Sequence, residues 1–294
     1  MNQPKEGTIE DHKEAGRIAS KVREWGKSLF KDGAKVIDIA EAVENKIREL
    51  GAEPGFPCCI SINSLAAHYS PFINDQMIIH KGDIIKFDMG THINGKVADT
   101  ACTIEVESNT QTRLIQASHD ALERATKIMK PGTPIRAIGK IVSDTIRQAG
   151  FQPIINLSGH GLGDYIVHDD PTIPNYDNGD ETELEEGQSI ACEPFATTGA
   201  GLVSDGKPCG IYGFINKKNT RLPAAREVMK IIEEKYRTLP FSCRWIKVPG
   251  IQMLLNQLEK DGILRQYTQL PEKSGGLVSQ AEHSIIIGEG VITQ

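Results

Sequence analysis

The feature that most constrains the fold is an internal repeat. The segment KDGAKVIDIAEAVENKIRELGAEP, from Lys31, is matched 99 residues later by KPGTPIRAIGKIVSDTIRQAGFQP, from Lys130. At that offset Gly33 falls on Gly132, Ile39 on Ile138, Val43 on Val142, Ile47 on Ile146, Gly51 on Gly150 and Pro54 on Pro153. In each copy the apolar residues (36, 39, 43 and 47; 135, 138, 142 and 146) recur at helical spacing, and a glycine follows where a helix commonly ends. A repeated supersecondary unit stacks against its copy to bury its apolar face. The repeat therefore predicts a single domain over residues 1–294, built from two αβ halves related by a pseudo-two-fold, rather than two independent domains.

The correspondence extends beyond the helix. Gly82–Gly90 (GDIIKFDMG) aligns with Gly187–Phe195 (GQSIACEPF), pairing Ile85 with Ile190 and Asp88 with Glu193, and His68 and His168 lie 100 residues apart. Chemically capable side chains thus stand at nearly equivalent places in both halves, which predicts one active site between them. With 33 Lys and Arg against 39 Asp and Glu, the net charge is −6, and no run of five like charges occurs. A nucleic-acid binder would carry a basic excess or stripe, so no nucleic-acid partner is expected. No apolar run approaches the ~20 residues of a membrane span. The opening MNQPKEGTIEDHKE lacks a basic cluster followed by an apolar core, so no secretory signal is expected. Six cysteines without a CxxC pair read as reduced thiols, and a cytoplasmic location follows.

Asn94-Gly95 stands between two β-rich runs in DIIKFDMGTHINGKVADTACTIEV, a strong hairpin signal. A two-residue turn there sets Asp88 opposite Ala101 and Asp99 opposite Gly90. The two aspartates then share a face as diagonal neighbours, with Cα atoms roughly 7–8 Å apart. Two inward acids repel unless a cation joins them. His160 lies among small residues in LSGHGLGDYIVHDD, Glu193 ends an apolar run in SIACEPF, and Glu282 sits inside a strand-like run in LVSQAEHSIII. A buried carboxylate in such a run is costly unless paired or bound to metal. Asp88, Asp99, His160, Glu193 and Glu282 form an oxygen-rich set with one imidazole, suited to two divalent ions of the Mn, Fe or Co type. GHGLG lacks the spacing of a nucleotide loop, and no GxSxG elbow occurs.

This ordered set, with the aspartates eleven positions apart, resembles the dinuclear-metal peptidases of the pita-bread fold. AAHYSP, FDMG, DTACT, SGHG, IPN, EPFATTG and EHSIII resemble, within them, the type 2 methionine aminopeptidases. The 89 residues between Glu193 and Glu282 include helix-like segments near 224–237 and 250–260, similar to the helical insert that marks type 2, here about 220–270. The chain resembles the short form typical of archaea. The resemblance implies an α+β pita-bread fold with duplicated halves around an antiparallel sheet. It implies removal of N-terminal methionine from nascent chains whose second residue is small, using two divalent ions (Co, Mn, Fe, Zn or Ni) and a hydroxide bridging them. Asp99 and Glu282 would bridge the ions, Asp88 and His160 would complete one each, and Glu193 would bind metal and shuttle a proton. His168 would stabilise the oxyanion and His68 would meet the leaving nitrogen. The methionine pocket would comprise Phe56, Tyr267 and Leu270, with Val167 and Ile211 as further walls. The expected partners are nascent polypeptides and the ribosome that carries them, with the enzyme a monomer.

Two alternatives remain at this stage. One is an Xaa-Pro dipeptidase of the same fold, disfavoured because Asp88 comes too early to leave room for the extra N-terminal domain of such enzymes. The other is a non-catalytic relative that binds ribosomes, RNA or histones. Loss of ligands would mark it, whereas all five are present here.

Overall fold

The computed structural model describes residues 7–294 apart from 219 and 221, the latter inside the expected insert. The repeat is visible as structure. Helices α1 (Ile9–Gly26), α2 (Val36–Glu49), α3 (Thr112–Ile128) and α4 (Ile135–Gln148) form two pairs, and α2 and α4 begin and end 99 residues apart. Each is amphipathic for the reason its spacing gives: Val36, Ile39, Val43 and Ile47 are buried on α2, and Ile135, Ile138, Val142 and Ile146 on α4. Gly51 and Gly150 follow with φ of 92° and 90°, a conformation that costs glycine little. The two faces fill separate cores, one per half.

In the first half, strand β1 (Cys59–Ile62) pairs antiparallel with β2 (Ile84–Ile93), which forms a hairpin with β3 (Lys96–Glu105). The turn is Asn94-Gly95, both at positive φ, and the register sets Asp88 opposite Ala101 and Asp99 opposite Gly90, as the spacing requires. In the second half, β4 (Ser158–Gly163) pairs with β5 (Ile166–Pro174) and with β6 (Ser189–Cys192), and β6 pairs in turn with a late strand, His283–Ile286. The two-residue turn of the first half is replaced here by about 90 residues. That stretch contains β7 (Phe195–Thr197), β8 (Pro208–Phe214), α5 (Pro223–Lys235), a 3-10 turn (Cys243–Trp245), α6 (Ile251–Lys260), β9 (Leu264–Thr268) and β10 (Val278–Gln280), before β11 (His283–Ile286) closes the sheet. Helices α5 and α6 have their own core, around Tyr212, Ile232, Phe241 and Leu255.

The halves are stitched at β3 and β11. Glu282 N–H donates to Ala101 O at 3.0 Å, Asp99 N–H donates to Ser284 Oγ at 2.7 Å, and that hydroxyl donates to Asp99 O at 2.8 Å. Backbone bonds at the acids themselves therefore fix one half against the other.

Candidate active site

Asp88 and Asp99 come from adjacent strands of the first hairpin, Glu193 from the residue after β6, Glu282 from the residue before β11, and His160 from β4. All five line one cavity of about 190 Å³. Ligand atoms of Asp99, His160 and Glu282 lie within 4.8 Å of one another. His160 Nε2 is 3.5 Å from Glu193 Oε1 and 3.9 Å from Asp99 Oδ2, and its Nδ1 is 3.1 Å from Gly161 O. Gly161 is needed here because a Cβ would collide with the Asp170 carbonyl on β5. The small residues around His160 thus let the two strands approach.

Among the described residues no Lys or Arg lines the cavity. Burial pushes the Asp88 carboxyl up, against a hydrogen bond from Gln280 that lowers it. Burial, then the neighbouring acids, holds Asp99, Glu193 and Glu282 well above the ordinary carboxylate range. Asp88 Oδ1 and Asp99 Oδ1 are buried without a hydrogen-bond partner among the described residues. Four converging acids, two buried and two half-buried, with orphaned oxygens on Asp88 and Asp99 and the His160 imidazole beside them, fit divalent cations by donor type and by charge.

His68 and His168 also line the cavity, with Asn156 and Ser158. The His168 ring centroid lies 4.6 Å from that of His160, and His68 packs edge-on to Tyr267 at 5.6 Å. Desolvation of the ring, reinforced by neighbouring His160 and His68, lowers His168 to about 3 although the residue as a whole is exposed; desolvation lowers half-buried His68 to about 4. Phe56, Val167, Ile211 and Tyr267 supply the apolar wall. Gly90 is the close approach that admits Phe56, since a Cβ there would collide with its ring.

Leu270 departs from expectation. It pairs with Ala67 and packs with Ala66, Ile154 and Phe195 instead of lining the cavity, because the short strand Leu270–Pro271 is held against Leu65–Ala67. Cys59, Ser158 and Pro240 line the cavity without having been singled out. Gln280 was missed too: its Nε2 donates to Glu193 Oε2 at 3.2 Å and to Glu282 Oε2 at 3.4 Å. The signal for it was available, since a residue two before Glu282 on an extended run points to the same side.

Residues 10–244 match the model of metallopeptidase family M24. Methionine aminopeptidase of Archaeoglobus fulgidus is 44% identical over 281 residues, covering 95% of both chains. That of Methanocaldococcus jannaschii is 44% identical over 277 residues, covering 94% of both. Among solved structures, a thermophilic Arx1 superposes with TM-score 0.84 at 19% identity, over 95% of this chain and 87% of that one. Methionine aminopeptidase of Thermotoga maritima gives 0.72 at 21%, over 99% and 100%. At these identities the structural likeness speaks for the fold alone.

Proposed function

The chain belongs to metallopeptidase family M24 and is a metallo-aminopeptidase that removes N-terminal methionine; on that premise we propose that Asp88, Asp99, His160, Glu193 and Glu282 would hold two divalent ions. The observation that carries this is the convergence of four acids, two buried and two half-buried, with His160 on a cavity that no Lys or Arg lines among the described residues. When bound, the ions supply Lewis acidity, polarising a carbonyl and acidifying water at neutral pH. The Glu193 carboxylate, steadied by Gln280, takes up a proton at Oε1 and returns it to the departing amine. His168, neutral at pH 7, donates a hydrogen bond to the oxygen of the scissile carbonyl as charge develops there. His68 orients the leaving amide nitrogen. Phe56, Val167, Ile211 and Tyr267 receive the first side chain, and this apolar and aromatic slot suits a flexible thioether. Both halves and the insert over about 220–270 act as one catalytic domain, because the ligands are divided between the halves.

The physiological substrates in this reading are nascent chains with a small second residue, met in the cytoplasm at the ribosome by a monomeric enzyme. Among the described residues no helix is long and apolar enough to cross a membrane. The proline-dipeptidase reading is not favoured, since methionine aminopeptidases align with 94–95% of the chain at 44% identity. Protein reconstituted with Mn, Fe or Co should cleave Met-Ala-Ser, leave its N-acetylated form intact and ignore Ala-Pro. No turnover of Met-Ala-Ser with any of these ions would refute the reading.

A further inference from the structure

We propose that the buried Glu44–Arg244 ion pair sets the width of the first-residue pocket, making both residues positioning residues for selectivity although neither lines the cavity. The inference rests on the aminopeptidase reading above. Glu44 projects from α2 and Arg244 from the 3-10 turn of the insert, and they are 2% and 4% exposed. The guanidinium forks onto the carboxylate, with Nη1 2.8 Å from Oε2 and Nη2 2.7 Å from Oε1. Trp245 Nε1 also donates to Oε2, at 2.7 Å.

The remaining bonds of the pair reach two segments that wall the pocket, and one of these carries a third. Cys58 N–H donates to Glu44 Oε1 at 3.2 Å, and Cys58 stands between the wall residues Phe56 and Cys59. Arg244 Nε donates to Pro71 O at 3.0 Å and Nη2 to Ser70 Oγ at 3.4 Å, just beyond His68. Ser70 O in turn accepts from Gly210 N–H, beside Ile211. On the insert side, Ser242 pairs with Ile211, and Pro240 lines the cavity two residues earlier. One ion pair therefore ties together the Phe56, His68 and Ile211 walls.

Phe56, Cys59, Ile211 and Leu239 also share an apolar cluster, which holds the walls together without fixing their spacing by directional bonds. The pair borders a groove of about 680 Å³ between α2 and the insert. A buried ion pair contributes little net stability relative to apolar residues of similar volume, but its directional bonds fix geometry.

The test compares wild type with Glu44→Gln, Arg244→Lys and the uncharged double variant Glu44→Leu/Arg244→Met, whose apolar pair restores packing if the single changes unfold. The measurements are kcat and KM on Met-Ala-Ser and Leu-Ala-Ser, metal affinity by calorimetry, and Tm. The preference for Met over Leu should fall about tenfold in the double variant, carried by KM for the Met peptide, with metal affinity unchanged. Arg244→Lys, which keeps the charge and loses the fork, should fall between it and wild type. Wild-type selectivity in a folded, metal-loaded variant would overturn the inference, as would a parallel loss of metal affinity. Absence of Met-Ala-Ser cleavage by wild type would instead remove the activity reading beneath it.

Discussion

Each of the five polar residues converging on the cavity has a separable contribution, and metal affinity separates them from the histidines that line it beside them. Asp88→Asn and Glu282→Gln each remove a charged oxygen donor, so metal binding measured by calorimetry should be lost and peptidase activity should drop at least about 100-fold. His68→Ala should leave metal affinity intact while lowering kcat by about 100-fold; equal metal loss in that variant would contradict its role. Gln280 makes a finer case. It touches two acids from opposite ends of the long stretch between β6 and β11, at 3.2 and 3.4 Å. Gln280→Ala should weaken metal affinity by about tenfold with the protein still folded, and unchanged affinity would show that the acids hold their orientation without it.

Among the elements, the β2–β3 hairpin turns a local sequence signal into site geometry. Gly95 has φ 92° and faces the Tyr165 ring, so Gly95→Ala meets both backbone strain and a collision. It should lower unfolding free energy in urea by about 1–3 kcal/mol, and an unchanged midpoint would place the turn's control of register elsewhere. The elements legible in the sequence were those specified locally: α2 and α4 by their apolar period, and the hairpin by Asn-Gly. The Asp88–Asp99 geometry followed because a two-residue turn permits only one register. What was not legible depended on pairings between distant segments. Strand β9 returns to β8 across the whole insert, and Leu270 is drawn to Ala67 about 200 residues away, which is why it lies off the pocket wall. No local periodicity encodes such partners. The apolar wall residues Cys59 and Pro240 went unnoticed for the same reason, since only the assembled cavity distinguishes them from core.

For the molecule as a whole, folding buries titratable groups away from the site, and these tie global stability to pH. Burial lowers His12 to about 4, with a backbone hydrogen bond to Val97 opposing it and Lys96 assisting. Burial, assisted by Arg237, also lowers His92 to about 4. An unfolded histidine titrates near 6.5. Between pH 6.5 and 4 the unfolded chain therefore binds protons that the folded protein refuses, so stability falls as pH falls through that window and is fully present above it. Each group contributes a slope of about 1.4 kcal/mol per pH unit. The acids of the active site titrate with the opposite sign, since their raised folded values favour the protonated folded state at low pH. Absolute stability is thus the sum of opposing terms. The difference between wild type and His12→Asn isolates one of them, because the acids are common to both proteins. Unfolding free energies measured in urea from pH 4 to pH 7 should show the variant losing stability less steeply by about 1.4 kcal/mol per pH unit, with the two curves parallel above pH 7. Parallel curves across the entire range would mean that His12 takes up its proton in the folded protein as readily as in the unfolded chain.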